Sequence, residues 1–396
     1  MSAVHERPPL IGIVAGEASG DLLGSGLIDA VRSRWSDARF VGIGGPKMLA
    51  AGMDSLFPQE LLAVRGYVEV VRRLPALLRI RRQLAAHFLQ QCPHVFIGVD
   101  APDFNLALER RLRTAGIPTI HYVSPSIWAW RGGRIRAIGR AADRVLALFP
   151  MEPPLYEAAG IPVSFVGHPL AAMLPMQPDT AGARKSLRLP DSAGPVVALL
   201  PGSRMAEVEH LGQLFLRVAE RLLAQHPKAL ILLPLATPPT LAHMRRLLAT
   251  EVRHAERFVV LSGHAHLALE ACDAALIASG TATLEAALLK KPMVITYRMP
   301  WLSYQLMRKR GYLPWVGLPN ILAGRSIVPE LLQDAATEDA LLAALIEQLE
   351  GREATVQQKA FADIHRSLQA DTRGAIVAAL APYLPKPLSG DVDRRR

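Results

Sequence analysis

The sequence predicts an α/β protein built from two doubly wound parallel-sheet domains, and three observations carry that expectation. Strand-sized aliphatic or β-branched runs alternate with helical patterns along most of the chain. The alternation stops in a stretch rich in proline, glycine and polar residues, from about Pro169 to Pro195, and then begins again. The chain has 396 residues, half of them hydrophobic, which is more than one core usually organises.

The first series of strands reads Ile11 to Val14, Phe40 to Ile43, Val95 to Val99 and Thr119 to Val123, each closed by a turn signal. The second reads Val196 to Leu200, Ala229 to Pro234, Phe258 to Leu261, Ala274 to Ile277 and Met293 to Tyr297. These set a first domain over 1–170 and a second over 171–385, whose last helix is free to pack back on the first. The tail over 386–396, with its final arginine run, reads as disordered. Doubly wound sheets bind ligands beyond the carboxyl ends of their strands, and two such sheets facing each other leave a cleft.

A net charge of +10 favours an anionic partner, which charge alone leaves open between nucleic acid, an acidic lipid surface and a phosphorylated substrate. Two cysteines, Cys92 and Cys272, argue against a disulfide framework or a zinc cage and fit a reducing compartment. The first apolar run, Leu10 to Ala15, meets Gly16 and Glu17 at once and is too short for a spanning helix or a signal-peptide core.

Four loops carry chemistry. After the first strand, Gly16-Glu17-Ala18-Ser19-Gly20-Asp21 lets backbone approach a ligand, or is an ordinary turn capped by Ser19 or Asp21. At the end of another strand, Gly98 to Asn105 puts Asp100 where a desolvated carboxylate could take a proton from a hydroxyl. Asp103 has the rival reading of a cap for a helix starting near Phe104. In the second half, Pro201-Gly202-Ser203-Arg204, followed by Glu207 on a helix, gathers amides, a hydroxyl and a guanidinium suited to a diphosphate. Ser279-Gly280-Thr281 opens another helix, with Glu285 one turn in to accept from ribose hydroxyls. No His, Cys or carboxylate spacing reads as a metal site.

Two segments are less decided. His121 to Trp130 sets aromatics beside Arg131, Arg134 and Arg136 and suits either a sugar phosphate or packing, with His121 more readily structural. Leu61 to Leu84 mixes apolar residues with six arginines, the composition of a helix lying among lipid headgroups or of a core-facing helix with a solvated basic side.

Taken together and in order, Gly16 to Asp21, Gly98 to Asn105, His121 to Trp130, Leu200 to Glu209, Ala278 to Glu285, Tyr297 to Met299 and Leu318 to Arg325 resemble the lipid-A-disaccharide synthase family. The resemblance implies a GT-B fold and inverting glycosyl transfer without metal or cofactor. The donor would be UDP-2,3-diacylglucosamine and the acceptor 2,3-diacylglucosamine 1-phosphate (lipid X), giving the β-1,6-linked lipid A disaccharide 1-phosphate and UDP. It implies Asp100 as the base on the acceptor 6-hydroxyl, with Asp103 in support and Glu17 and Ser19 beside the reacting sugar. Gly202, Ser203, Arg204, Glu207, Ser279, Gly280, Thr281 and Glu285 would hold UDP, with Asn320 and Arg325 near them. It also implies peripheral binding to the cytoplasmic face of an anionic inner membrane through Val64, Tyr67, Val68, Val71, Arg72 and Arg73, and leaves room for a homodimer. Arg65 departs from the family pattern, which has an apolar residue before the glycine. A nucleic-acid binder would need its arginines in a base-stacking pattern, and no nucleic acid is expected. A dinucleotide oxidoreductase would need the Gly-x-Gly-x-x-Gly fingerprint that the first loop lacks.

Overall fold

The structure, a computed structural model, describes residues 7–62, 67–128, 132–298 and 313–387. The chain divides into two compact units, Met1–Pro169 with Leu368–Arg396, and Leu170–Ser367.

The first unit holds strands β1 (Leu10–Ala15), β2 (Arg39–Ile43), β3 (Asp54–Ser55), β4 (Val95–Val99), β5 (Thr119–Tyr122), β6 (Arg144–Ala147) and β7 (Val163–Phe165). Its helices are α1 (Ala18–Arg32), α2 (Pro46–Ala50), α3 (Tyr67–Gln91), α4 (Pro102–Thr114), α5 (Ile135–Ala141) and α6 (Pro153–Glu157). The sheet order is β3-β2-β1-β4-β5-β6-β7, all parallel. Every residue of β4 is buried, as a strand covered by helices on both faces requires. One face packs Ile80, Leu84 and Phe88 of α3 and Leu108 and Leu112 of α4 against Val14 and Phe96. The other packs Leu27, Ile28 and Val31 of α1 against Ile13, Ile97 and Ile120.

The second unit holds β8 (Val196–Leu200), β9 (Leu230–Leu235), β10 (Phe258–Ser262), β11 (Ala274–Ala278), β12 (Met293–Tyr297) and β13 (Glu330–Leu332), in the parallel order β10-β9-β8-β11-β12-β13. Its helices run from α7 (Pro169–Met173) and α8 (Thr180–Ser186) through α9 (Met205–Gln225), α10 (Pro238–Glu251), α11 (Ala265–Ala271), α12 (Thr281–Leu288), α13 (Leu318–Ala323) and α14 (Glu338–Glu350) to α15 (Glu353–Leu368). In α9, Val208, Leu211, Phe215, Leu222 and their neighbours recur at three- and four-residue steps and are buried on the sheet. The chain then returns to the first unit, where α16 (Thr372–Leu380) adds Ile376 and Leu380 to the α1 face and Trp35 Nε1 donates to the Pro385 carbonyl at 2.7 Å.

Both sheets grow outward on one side and then restart beside the first strand. The switch points lie between β1 and β4 and between β8 and β11. Four strands absent from the sequence reading, β3, β6, β7 and β13, have two to four residues each, too short for an apolar run to stand out.

The expected cap of α1 is corrected. Glu17 holds the N-cap position with no side-chain bond, and Ser19 is exposed. Asp21, 3% exposed, instead accepts from the amides of Gly45, Lys47 and Met48 at 2.9, 3.0 and 2.9 Å, so it caps α2 and ties α1 to the β2–α2 turn. Asp21→Ala strands three donors, and its expected cost is about 2–3 kcal/mol, or a Tm lower by about 5–10 °C for this unit, read by thermal unfolding.

Candidate functional site

In the first unit the loops after β1 and β4 meet at the switch point, because Ala15 pairs with Val99. A Cβ placed on Gly16 would lie 3.2 Å from that of Ala101, so the two turns touch. Glu17 and Ser19 are exposed there, and Gln59 Nε2 steadies the first turn by donating to the Glu17 carbonyl at 2.9 Å. Asp100 follows β4 half-buried with φ +52°, and Ala101 comes next at φ +44°. Two successive left-handed residues with side chains are strained and persist only where surroundings fix them. The Asp100 amide donates to the Tyr122 carbonyl at 2.8 Å, and Asn105 Nδ2 donates to the Asp100 carbonyl at 2.8 Å.

Asp103 does not cap a helix. The helix α4 starts one residue earlier, at Pro102, with Ala101 as N-cap, so Asp103 lies in its exposed first turn and pairs with Arg134. Among the described residues no ion pair engages Asp100.

Behind these loops lies a buried polar layer. His121 Nδ1 and Glu109 Oε1 are 2.7 Å apart, both side chains with no exposure, and burial raises the Glu109 pKa against the opposing pull of His121. His121 is therefore spent on packing and pairing. Trp128 is held through Nε1 to Glu152 at 3.0 Å and edge-on to Phe149, while Trp130 and Arg131 lie outside the described residues. Glu152 also accepts from the Leu148 and Phe149 amides at 3.1 and 3.0 Å, yet burial still pushes it up to about 7. Burial takes His168 down to about 4.

In the second unit the loops after β8 and β11 are neighbours for the same reason, Leu200 pairing with Ile277. Gly202 has φ +127°, and a Cβ there would lie 2.4 Å from that of Glu207. Glu207 folds back into this space and accepts from the Ser203 and Arg204 amides at 3.0 and 3.2 Å, with Arg204 Nη1 at 3.3 Å. The amides read as diphosphate donors are thus occupied by Glu207, a capping arrangement, and the Ser203 hydroxyl and the exposed Arg204 guanidinium are what the turn presents. Gly280 and Thr281 stand exposed at the start of α12. Ser279 Oγ reaches the Val316 carbonyl at 3.4 Å, and Glu285 has its pKa raised by burial, with His266 opposing. Tyr297, at the end of β12, is raised by burial and by the nearby Glu207 charge, which places it beside the same turn; Met299 lies outside the described residues.

Asn320 does other work than expected of it. It is fully buried, its Nδ2 donating to the Val328 carbonyl at 2.9 Å and to Glu330 at 2.7 Å, its Oδ1 accepting from Ile327 and Val328 at 2.7 and 2.8 Å. With no hydrogen-bonding position left, it shapes the loop beside the turn, and Glu330 extends the network to the Val316 and Gly317 amides. Arg325 is exposed. Of the residues expected at a membrane, Val64 and the side chains of Tyr67, Val68, Val71 and Arg72 lie outside the described part; Arg73 and Leu74 are exposed. No described helix is long and apolar enough to cross a membrane.

This geometry has close relatives. A family model described as lipid-A-disaccharide synthetase matches residues 11–380. The lipid-A-disaccharide synthase of Methylobacillus flagellatus is 54% identical over 377 residues, 95% of this chain and 100% of that protein. The chain belongs to the lipid-A-disaccharide synthetase family. The enzyme of the same name from Burkholderia pseudomallei is 51% identical over 382 residues, 96% of this chain and 97% of that one. Family membership makes the chain a UDP-sugar-dependent glycosyltransferase of lipid A disaccharide synthesis. Its GT-B fold is shared with a Staphylococcus aureus MnaA–UDP co-structure, at TM-score 0.63 and 11% identity over 96% of this chain and 100% of that one. It is shared also with Neisseria meningitidis UDP-GlcNAc 2-epimerase bound to UDP-GlcNAc, at TM-score 0.61 and 11% identity over 94% and 99%. Glu109 and Glu152 were missed from sequence, and Asp21 was read as a cap of its own helix, because each acts on a different element from its own.

Glu152 makes the first unit's stability pH-dependent. Its folded pKa of about 7 lies above the ordinary 4.5, so between these values the folded chain holds the proton more tightly. That contribution is complete below about pH 4.5 and is lost as pH rises through 7. Glu152→Gln cannot ionise and is expected to gain about 2–3 kcal/mol on the parent between about pH 5 and 8, read by urea unfolding at both. A difference that stays constant with pH would contradict the assignment.

Proposed function

We propose that the chain moves 2,3-diacylglucosamine from UDP to O6 of lipid X with inversion, releasing UDP and the β-1,6-linked lipid A disaccharide 1-phosphate. The observation that carries this reading is a carboxylate free of ion pairs among the described residues, Asp100, on a strained turn at the first switch point. Asp100 takes the proton from the 6-hydroxyl as O6 bonds to C1 of the donor sugar. The bond from C1 to the diphosphate breaks, and its electron pair leaves on UDP. Asp103, held by Arg134, flanks the acceptor, and Glu17 and Ser19 border the reacting sugar.

The donor side is the second unit. Arg204 and the first amides of α12 at Gly280 and Thr281 meet the departing diphosphate, where positive charge offsets what develops in the transition state. The Ser203 and Ser279 hydroxyls add donors, Gly202 allows the close turn, and Glu285 accepts from the ribose. Glu207 holds the turn in shape. Asn320 keeps the neighbouring loop rigid and Arg325 brings a second cation. UDP in the MnaA co-structure and UDP-GlcNAc in the epimerase, on the same fold, support a uridine-diphosphate site here. The exposed Arg73 and Leu74 of α3 support peripheral contact with an anionic membrane on its cytoplasmic face, to which the family resemblance also assigns Val64, Tyr67, Val68, Val71 and Arg72.

Purified chain in detergent, given UDP-2,3-diacylglucosamine, should release UDP only when lipid X is present, and EDTA should leave the rate unchanged. Asp100→Asn is expected to lower kcat by about 10²- to 10⁴-fold with UDP affinity kept. Arg204→Ala should weaken UDP binding by about 10- to 100-fold. Near-parental turnover in Asp100→Asn, with Asp103→Asn inactive, would exchange the two roles.

A further inference from the structure

We infer that Asn105 is a positioning residue for the glycosyl transfer, one amide that locks the strained turn from which Asp100 is aimed. This rests on the reading of Asp100 as the base. Asp100 and Ala101 both stand in the left-handed region, at φ +52° and +44°, a conformation that would relax if the turn were left to itself. The direction of the Asp100 side chain follows from that backbone, so whatever fixes the turn fixes the base.

The fixing is concentrated in one side chain. Asn105 has no exposure, and its Nδ2 lies 2.8 Å from the Asp100 carbonyl and 3.3 Å from each of the Val99 and Val14 carbonyls. A single NH₂ group therefore gathers the ends of both strands of the switch point and the turn between strand and helix. The Asn105 amide also donates to the Ala101 carbonyl at 3.0 Å, which seats the first turn of α4 beneath the same residue.

The side chain has nowhere else to go. A Cβ on Gly98 would lie 2.8 Å from that of Asn105 and 2.0 Å from Glu109 Oε1, so the bare glycine is what admits both residues under the turn. Glu109, one helical turn on, is pinned by His121 with neither side chain exposed. Asn105 Oδ1 is buried and has no hydrogen-bond partner among the described residues. A residue kept only to fill volume would be better served by an aliphatic side chain of similar size, which leaves no polar atom unsatisfied. The donation is what the position retains.

Two variants and a pH series test this. Asn105→Ala removes the donor and is expected to lower kcat by about 10- to 100-fold, with UDP affinity and donor KM within about twofold of the parent. Asn105→Asp keeps the shape but faces three carbonyl oxygens. It is expected to be impaired while ionised and to recover as protonation returns an O–H donor, so its kcat relative to the parent should rise as pH falls from about 8.5 to about 6. The alanine variant's ratio should stay level over that range. Added to Asp100→Asn, either change should produce no further loss. Inactive Asp100→Asn beside fully active Asn105 variants would overturn the positioning role and leave the base in place. Active Asp100→Asn would overturn the base itself. Should the alanine variant fail to fold, as thermal unfolding would show, the aspartate variant decides alone, since a flat ratio there overturns the inference.

Discussion

The reversal of strand order in each sheet is the constraint on which the rest depends. A parallel sheet must send its chain over one face or the other between strands, and where the direction of growth reverses, the two flanking connections leave on opposite sides. The backbone ends of β1 and β4, and of β8 and β11, are thereby left uncovered by their own loops. Four loops that carry candidate chemistry lie at the ends of these four strands: 16–21, 98–105, 201–209 and 279–285. The chemistry differs between the units, but the opening that receives it is the same topological fact.

What fills each opening follows from local electrostatics. At the first, the carboxylates behind the loops are paired inward: Glu109 on His121, Glu152 on Trp128 and two amides, Asp21 on three amides of the next turn. Buried carboxylates with partners make the layer rigid, and each is costly to leave unpaired. At the second, Glu207 satisfies the turn's amides and leaves a guanidinium and a hydroxyl outward. The first unit thus leaves the Asp100 carboxylate without an ion pair among the described residues, and the second leaves the Arg204 guanidinium exposed.

Much of this was legible in the sequence, for identifiable reasons. Strands such as β4, β8 and β11, covered on both faces, are written as unbroken apolar runs, and the glycines and hydroxyls after them mark turns that backbone alone must make. Edge strands of two to four residues, such as β3 and β7, leave no such trace. Side-chain roles were legible only where the partner lies a few residues away. The Asp21 bond to Gly45 spans 24 residues and that of Asn105 to Val14 spans 91, separations fixed by the fold and invisible to spacing. Asn320 shows the converse: a motif residue whose polar atoms are all used on partners within ten residues of it.

The two aspartates of the Gly98 to Asn105 loop show how a fold separates residues only three positions apart in sequence. Asp103 sits on the regular first turn of α4, where an exposed carboxylate gains from the helix N-terminus and from Arg134. One of its oxygens, Oδ1, already faces that cation. Asp100 sits one step outside regular structure, on backbone that is strained and held from two sides, with its amide on Tyr122 and its carbonyl on Asn105. Such holding fixes a side chain in place without consuming its oxygens. Strain of this kind persists only when neighbouring groups over-determine it, and here the residues doing so are buried, bonded and packed against a glycine that admits no substitute. The asymmetry between the aspartates is therefore a property of the turn more than of either carboxylate.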